Sequence, residues 1–323
     1  MIGPLALIAG LLAPFIAGST SPVVTPAEFR AWFDAARVGK VAAPVDLDRG
    51  AGRYRYVFVG GLGNERMPGY FAQNARELRS LGVRRDRVHY IWPSSRSTIE
   101  ENADGVRDRL LAIAAEGPEP IVVIAHSRGA CDALAFALRE PAFVREKVAA
   151  LFLIQGPFGG SALADRVGGT GPAMDRRMPF RFRVVAYLAA RVERRVMERG
   201  RHAGLADLTR EASRRFWSRM IAEHRDAIAE VGPRVFFLRT EATPSGLGAI
   251  GRAFGSYLTT YDGPNDGVVA VRDQYLPGLG TSLGVVDGGH ADLTRRKRST
   301  ATLRRALIRS LVMVLRRADP AGD

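Results

Sequence analysis

Ser127 lies in the run Ala125-His126-Ser127-Arg128-Gly129, directly behind the apolar stretch Ile121-Val122-Val123-Ile124. A serine hydroxyl is a poor nucleophile until a base takes its proton. An imidazole does this well only when a carboxylate fixes its tautomer and stabilises its charge. Both partners follow in chain order: Asp266 in Asn265-Asp266-Gly267-Val268-Val269, and His290 at the end of Val285-Val286-Asp287-Gly288-Gly289-His290. The expected chemistry is acyl transfer, with Ser127 as nucleophile, His290 as base and Asp266 as the orienting acid. Glu241, just after an apolar run, is the main competitor for the acid, and Asp262 and Asp287 are decoys nearby. Negative charge developing on a substrate oxygen needs two backbone N–H groups. Arg128, next to the nucleophile, is expected to supply one, its side chain being incidental. Leu62, in Gly60-Gly61-Leu62-Gly63-Asn64 after the apolar Tyr56-Val57-Phe58-Val59, is expected to supply the other.

These residues must be positioned by a strand, a tight turn and a helix. After Ser127, Ala130, Ala133, Leu134, Ala137 and Leu138 recur at helical spacing and Pro141 ends the run. Small residues at 125 and 129 suit a joint where strand and helix nearly collide. Apolar strands alternate with amphipathic helices along the chain, which predicts an α/β fold: a mostly parallel sheet with helices on both faces and loops of chemical interest at the carboxyl ends of the strands. The 323 residues, 46% of them hydrophobic, are enough for one large core. We read one domain over 27–323, preceded by an apolar segment at 1–26. Between Leu151-Phe152-Leu153-Ile154 and Val235-Phe236-Phe237-Leu238 the chain is longer than a crossover needs. The excess, about 167–232, is expected to form a helical cap. Within it Val184, Val185, Leu188, Val192 and Val196 share a helical face opposite Arg191, Arg194 and Arg195. That face reads either as a lid over the site or as an ordinary packed surface helix.

With the serine, acid and histidine in this order, the chain resembles the bacterial triacylglycerol lipases and esterases of the α/β-hydrolase superfamily. The similarity runs from Val59 to Asp292. It includes Ser97, Glu100, Asn102 and Ala103, then Gly156-Pro157-Phe158-Gly159-Gly160-Ser161 with Ala164-Asp165, and Leu205-Ala206-Asp207-Leu208-Thr209. The sequence departs from the family at Gly60, where a His is usual, and at Ala125 and Ala130, which replace glycines. The resemblance implies the α/β-hydrolase fold, a serine ester hydrolase working through an acyl-enzyme, and a lipid or small-molecule ester as substrate, with contact to a lipid surface as a possible extension. Asp292 matches a calcium-ligating Asp of many members. One carboxylate is not a calcium site, however, and Asp292 reads equally well as a cap after His290. No metal or cofactor is expected.

The same residues admit other classes. Gly61-Leu62-Gly63 after a strand is similar to a dinucleotide fingerprint, but Arg66 stands where the third glycine belongs. A thioesterase, or a catalytically silent scaffold of the same fold used for binding, remains the alternative reading; a complete triad argues against the silent scaffold. Ser127 as a mere helix N-cap is the bland reading of the central residue. His126 is expected to pack beside the turn without taking part. His89, His202 and His224 are read as surface or core residues, and the sole cysteine, Cys131, as a small core residue.

The formal charge is +14, yet Lys40, Lys147 and Lys297 are the only lysines among 47 basic residues. An arginine excess spread over the whole chain is not a designed patch. The Arg295-Arg296-Lys297-Arg298 cluster lacks interleaved aromatic residues and precedes the amphipathic run Leu303, Leu307, Leu311, Val314, Leu315. A nucleic-acid partner is therefore not expected. Residues 1–26 carry no charge, and up to Gly18 they resemble a signal-peptide core or short anchor, although Pro4 and Pro14 interrupt the run and no basic residue precedes it. Export or anchoring is the favoured expectation, an arm packed on a cytoplasmic protein the other.

Overall fold

The structure, a computed structural model, describes residues 23–39, 50–167, 203–243, 255–256, 258–260, 262–295 and 298–318. Six strands form one all-parallel sheet: β1 (Arg55–Val59), β2 (Val88–Ile91), β3 (Ile121–His126), β4 (Val148–Ile154), β5 (Val235–Glu241) and β6 (Thr281–Asp287), in the order β2-β1-β3-β4-β5-β6. The central strands are apolar on both faces because helices cover both. β1 and β3 are buried at every residue.

Successive side chains of a strand point to opposite sides, so each strand feeds two cores. Val57, Val59, Val123, Ala125, Leu151 and Leu153 pack on one side against α3 (Ile99–Ala114) and α4 (Arg128–Arg139). Tyr56, Phe58, Val122, Ile124, Phe152 and Phe236 pack on the other, against α1 (Pro26–Arg37), α2 (Ala72–Ser80) and the terminal α10 (Ala301–Ala318). The start of α1 is fixed by Pro26 and by a capping box. The Glu28 N–H donates to Thr25 Oγ1 (3.2 Å) and the Thr25 N–H donates to Glu28 Oε2 (2.8 Å).

The short α5 (Pro141–Lys147) leads into β4. After that strand come α6 (Ala162–Val167), α7 (Ala203–Ala206), α8 (Arg210–Glu223) and α9 (Arg225–Val231). Trp217, Met220, Ile221, Ile228 and Val231 of α8 and α9 are buried in the core shared with α3 and α4. The second half of the stretch read as a cap is thus packed on the body of the protein. Residues 168–202, with the apolar face from Val184 to Val196, lie outside the described residues, as do 1–22. Among the described residues no helix is long and apolar enough to cross a membrane.

The strand register brings the ends of the central strands together. Val59 pairs with Ala125, Ala125 with Leu153, and Ile154 with both His126 and Leu238. The carboxyl ends of β1, β3 and β4 are therefore level, Gly60, Ser127 and Gln155 emerge side by side, and β5 runs on past Leu238 to Glu241.

Candidate active site

Ser127 follows β3 and precedes α4 with φ 56° and ψ −132°, a conformation that costs a non-glycine residue about 1–3 kcal/mol. The surroundings hold it there. The Ser127 N–H donates to the Ile154 carbonyl (2.9 Å), and its own carbonyl accepts from Ala130 N–H (2.9 Å). The chain is so close at this joint that a Cβ on Gly129 would lie 2.3 Å from the Gly60 carbonyl oxygen, and one on Gly61 would lie 2.8 Å from Ser127 Cβ. Those two glycines are required by packing. Gly61 serves the turn at Ser127, and the chain continues into a short 3-10 turn at Asn64–Arg66, so the glycine spacing that resembled a dinucleotide fingerprint is accounted for without one.

Although Ser127 occupies the N-cap position of α4, its side chain makes no capping bond. Its hydroxyl lies 2.8 Å from His290 Nε2, and His290 Nδ1 lies 2.7 Å from Asp266 Oδ2. Asp266 is fully buried. Its Oδ1 accepts the N–H groups of Val268 (2.9 Å) and Val269 (2.8 Å), and its backbone carbonyl accepts His290 N–H (2.9 Å). With Oδ1 occupied and Oδ2 facing the ring, the carboxylate selects the tautomer with the proton on Nδ1, leaving the Nε2 lone pair toward Ser127. Ser127 and His290 remain partly exposed beside this buried acid.

The competing acids lie elsewhere. Glu241 is exposed at the end of β5, Asp287 pairs with Arg30 (3.2 Å) and Arg37 (3.7 Å), and Asp262 pairs with Arg210 and Arg272. Asp292 caps its own turn, its Oδ2 accepting the Gly289 N–H (3.0 Å). Among the described residues no group of acidic, histidine or cysteine side chains could hold a metal ion.

Leu62 sits in the loop after β1. Its neighbours' N–H groups are engaged: Gly60 with the Ile91 carbonyl (3.1 Å), Gly61 with Tyr70 Oη (3.2 Å), Gly63 with Ser95 Oγ (2.7 Å) and Asn64 with the Gly61 carbonyl (3.2 Å). Among the described residues the Leu62 N–H has no acceptor. Arg128 contributes its backbone at the first turn of α4, where an N–H has no partner within the helix. Its side chain is buried and turned away, donating to the carbonyls of Ser94 (3.0 Å) and Ser97 and lying 3.8 Å from Asp132. Burial raises the Asp132 carboxyl to about 7.

Three polar residues here escaped the sequence reading. His126, expected to be a bystander, is buried and hydrogen-bonded at both ring nitrogens: Nδ1 to the Tyr70 hydroxyl (2.5 Å), Nε2 to the His290 carbonyl (2.7 Å) and to Gln155 Oε1 (3.0 Å). Gln155, at φ 54°, is fully buried and donates through Nε2 to Thr240 Oγ1, to Asp266 Oδ2 (3.2 Å) and to the Gly289 carbonyl (3.3 Å). The one sequence signal for Gln155 is an amide directly behind an uninterrupted apolar strand. Nothing marks Tyr70.

The sequence matches no known family model and no curated protein. Solved structures do match. A metagenomic carboxyl esterase is 24% identical, with 82% of this chain and 76% of that one covered and a TM-score of 0.57. The mature form of the Bacillus licheniformis lipase BlEst2 is 18% identical, over 74% of this chain and 85% of that one, with a TM-score of 0.55. The chain has the α/β-hydrolase fold. In that fold the turn after β3 carries Ser127, the loop after β5 carries Asp266, and the loop after β6 carries His290.

Proposed function

We propose that this chain is a serine hydrolase of carboxylic esters. One observation carries the reading: a strained serine, a histidine and a buried aspartate joined by hydrogen bonds of 2.8 and 2.7 Å, with a backbone N–H at Leu62 that has no acceptor among the described residues. His290 Nε2 takes the proton from Ser127 Oγ as the oxygen adds to the ester carbonyl, and Asp266 stabilises the imidazolium. The carbonyl oxygen becomes negative and is met by the Leu62 and Arg128 N–H groups. His290 then protonates the leaving alkoxide, leaving an acyl-serine that water hydrolyses by the same proton path. The solved structures similar to this chain include an esterase and a lipase, which favours esters as the substrate class. In this reading residues 27–323 form the hydrolase domain, the stretch at about 167–232 is an insertion beside the site, and a lipid surface is a compatible partner.

A fluorophosphonate probe tests the reading directly, because only an activated serine reacts with it. Labelling of Ser127 that disappears in Ser127→Ala, together with turnover of p-nitrophenyl esters, is expected. An unlabelled wild-type protein that hydrolyses no ester in a chain-length series overturns the proposal.

A further inference from the structure

The catalytic reading uses Ser127, His290 and Asp266, and leaves unexplained why a tyrosine, a histidine and a glutamine are buried against them. Burying three such groups is costly unless each is satisfied. Here their bonds can be directed without ambiguity. Gln155 Nε2 faces Asp266 Oδ2 and the Gly289 carbonyl, both acceptors only, so the amide nitrogen must point there and Oε1 must point at His126. His126 Nε2 then faces two acceptors, Gln155 Oε1 and the His290 carbonyl, and must carry the proton. Its Nδ1 is left as an acceptor, to which the Tyr70 hydroxyl donates. The Tyr70 oxygen in turn accepts the N–H of Gly61, the residue before Leu62. Burial keeps the participants in these forms, holding the His126 imidazole neutral with a pKa of about 3 and pushing the Tyr70 hydroxyl upward.

We propose that Tyr70 and His126 are positioning residues for the oxyanion hole: the directed chain from Gly61 N–H through the Tyr70 hydroxyl and the His126 ring to the His290 carbonyl sets where the Leu62 N–H stands relative to the base. The proposal rests on the ester-hydrolase reading above and adds a coupling that the reading does not require. The loop after β1 and the loop after β6 come from different parts of the sheet, with β1 and β6 separated by three strands. Their relative position depends on what crosses the gap between them. There is no room for a side chain at Gly61, where a Cβ would meet Ser127 Cβ, the His126 carbonyl and Tyr70 Oη, so a shift in this hydrogen-bonded strap moves the donor and the nucleophile's surroundings together.

The discriminating variant is Tyr70→Phe, which removes one hydroxyl and leaves the ring and its edge-to-face contacts with Phe71, Trp92 and His126 in place. With sites counted by fluorophosphonate titration, kcat on a short soluble ester should fall about ten- to a hundredfold with KM changed by less than about twofold. That is less than the hundred- to thousandfold expected for loss of an oxyanion donor itself. Affinity for a boronic acid, whose adduct with Ser127 mimics the tetrahedral intermediate, should fall in proportion to kcat, which a purely structural role would not produce. His126→Asn, which can place a carbonyl oxygen near the lost Nδ1, should retain more kcat per titrated site than His126→Leu. Hydrogen exchange reads the same chain without any turnover: amides of segment 58–64 should exchange faster in Tyr70→Phe, while those of β3 remain protected. Normalised kcat within about twofold of wild type overturns the proposal, as does unaltered exchange in 58–64. Should the wild-type protein hydrolyse no ester and take no probe, the ester-hydrolase reading fails by itself, and the exchange measurement decides whether the chain holds the strap.

Discussion

Asp262 and Asp266 are four residues apart, both are buried, and they serve opposite ends. The side chain of Asp262 is 1% exposed and lies between two guanidinium groups, those of Arg210 and Arg272 (2.6 Å to the latter). It ties the segment ahead of Asp266 to the start of α8. Among the described residues Asp266 pairs with no arginine. It is neutralised by two backbone N–H groups, one amide and the Nδ1–H of His290. A carboxylate between permanent cations has its charge already compensated and can do little beyond holding structure. One balanced by neutral donors and a titratable ring keeps its charge available to whichever proton state the ring adopts. The residue type and the depth are the same, and the partners separate an anchor from the acid proposed for the triad.

The pair can be broken cleanly. Asp266→Asn should lower kcat about ten thousandfold, because it favours the wrong tautomer of His290, with a melting temperature near that of wild type. Asp262→Asn should do the reverse. It costs about 3 kcal/mol of stability, at the lower end for a buried pair because Arg272 is half exposed, and leaves kcat per titrated site close to wild type. Equal losses of kcat in the two variants would show that the anchor and the acid are one unit.

Glycines sharpen the same contrast. A Cβ at Gly61 meets Ser127 Cβ at 2.8 Å, whereas one at Gly160, where φ is +81°, meets the Arg210 Cα at 2.7 Å. Gly61→Ala should therefore move the strap and lower kcat about a hundredfold, the scale of a displacement near 1 Å at reacting atoms. Gly160→Ala should cost about 1–3 kcal/mol in overpacking and strain, read as a lower urea midpoint, with turnover of the folded protein retained. A kcat loss in Gly160→Ala as large as that in Gly61→Ala would mean that the α8 contact reaches the site.

Much of this division can be anticipated from the sequence, and the part that cannot has a physical reason. The strand Ile121–His126, the turn at Ser127 and the helix behind it leave a periodic and compositional trace, since a two-sided strand must be apolar and a crowded joint must be small. The chain order of Ser127, Asp266 and His290 follows from parallel strands that each deliver one loop to the same edge. Tyr70, Gln155 and Thr240 leave no such trace. Each is one polar residue from a different segment, and its meaning arises only where the loop after β1, the end of β4 and the last residues of β5 meet. His126 is legible in the sequence only as a neighbour of Ser127, because the partners of its two nitrogens, Tyr70 and the His290 carbonyl, come from remote segments. The insertion is a different case. Its length exceeds a crossover, but α8 carries Trp217, whose ring packs 5.4 Å from that of Phe158 in the core, so length by itself does not separate a cap from a layer of the body.

The smallest effect tests whether the two histidines differ as the two aspartates do. Their rings are 4.9 Å apart. His290 faces a carboxylate. His126 faces Tyr70, Gln155 and a carbonyl, with the His290 ring alongside, and burial together with that ring lowers its pKa from 6.5 to about 3. A base whose native pKa is depressed stays neutral while the unfolded chain takes up a proton, so its contribution to stability is intact above pH 6.5 and is lost as the pH falls from there toward 3. The loss approaches about 1.4 kcal/mol per pH unit inside that window for a single group. In His126→Gln the titration is gone, and every other ionisable group is common to both proteins. The wild type should be the more stable protein at pH 7.5, and its advantage in urea midpoint should shrink steadily between pH 6.5 and 4.5. An advantage that stays constant or widens on acidification would mean that His126 binds a proton in the folded state, and it would then be able to share the base role proposed for His290.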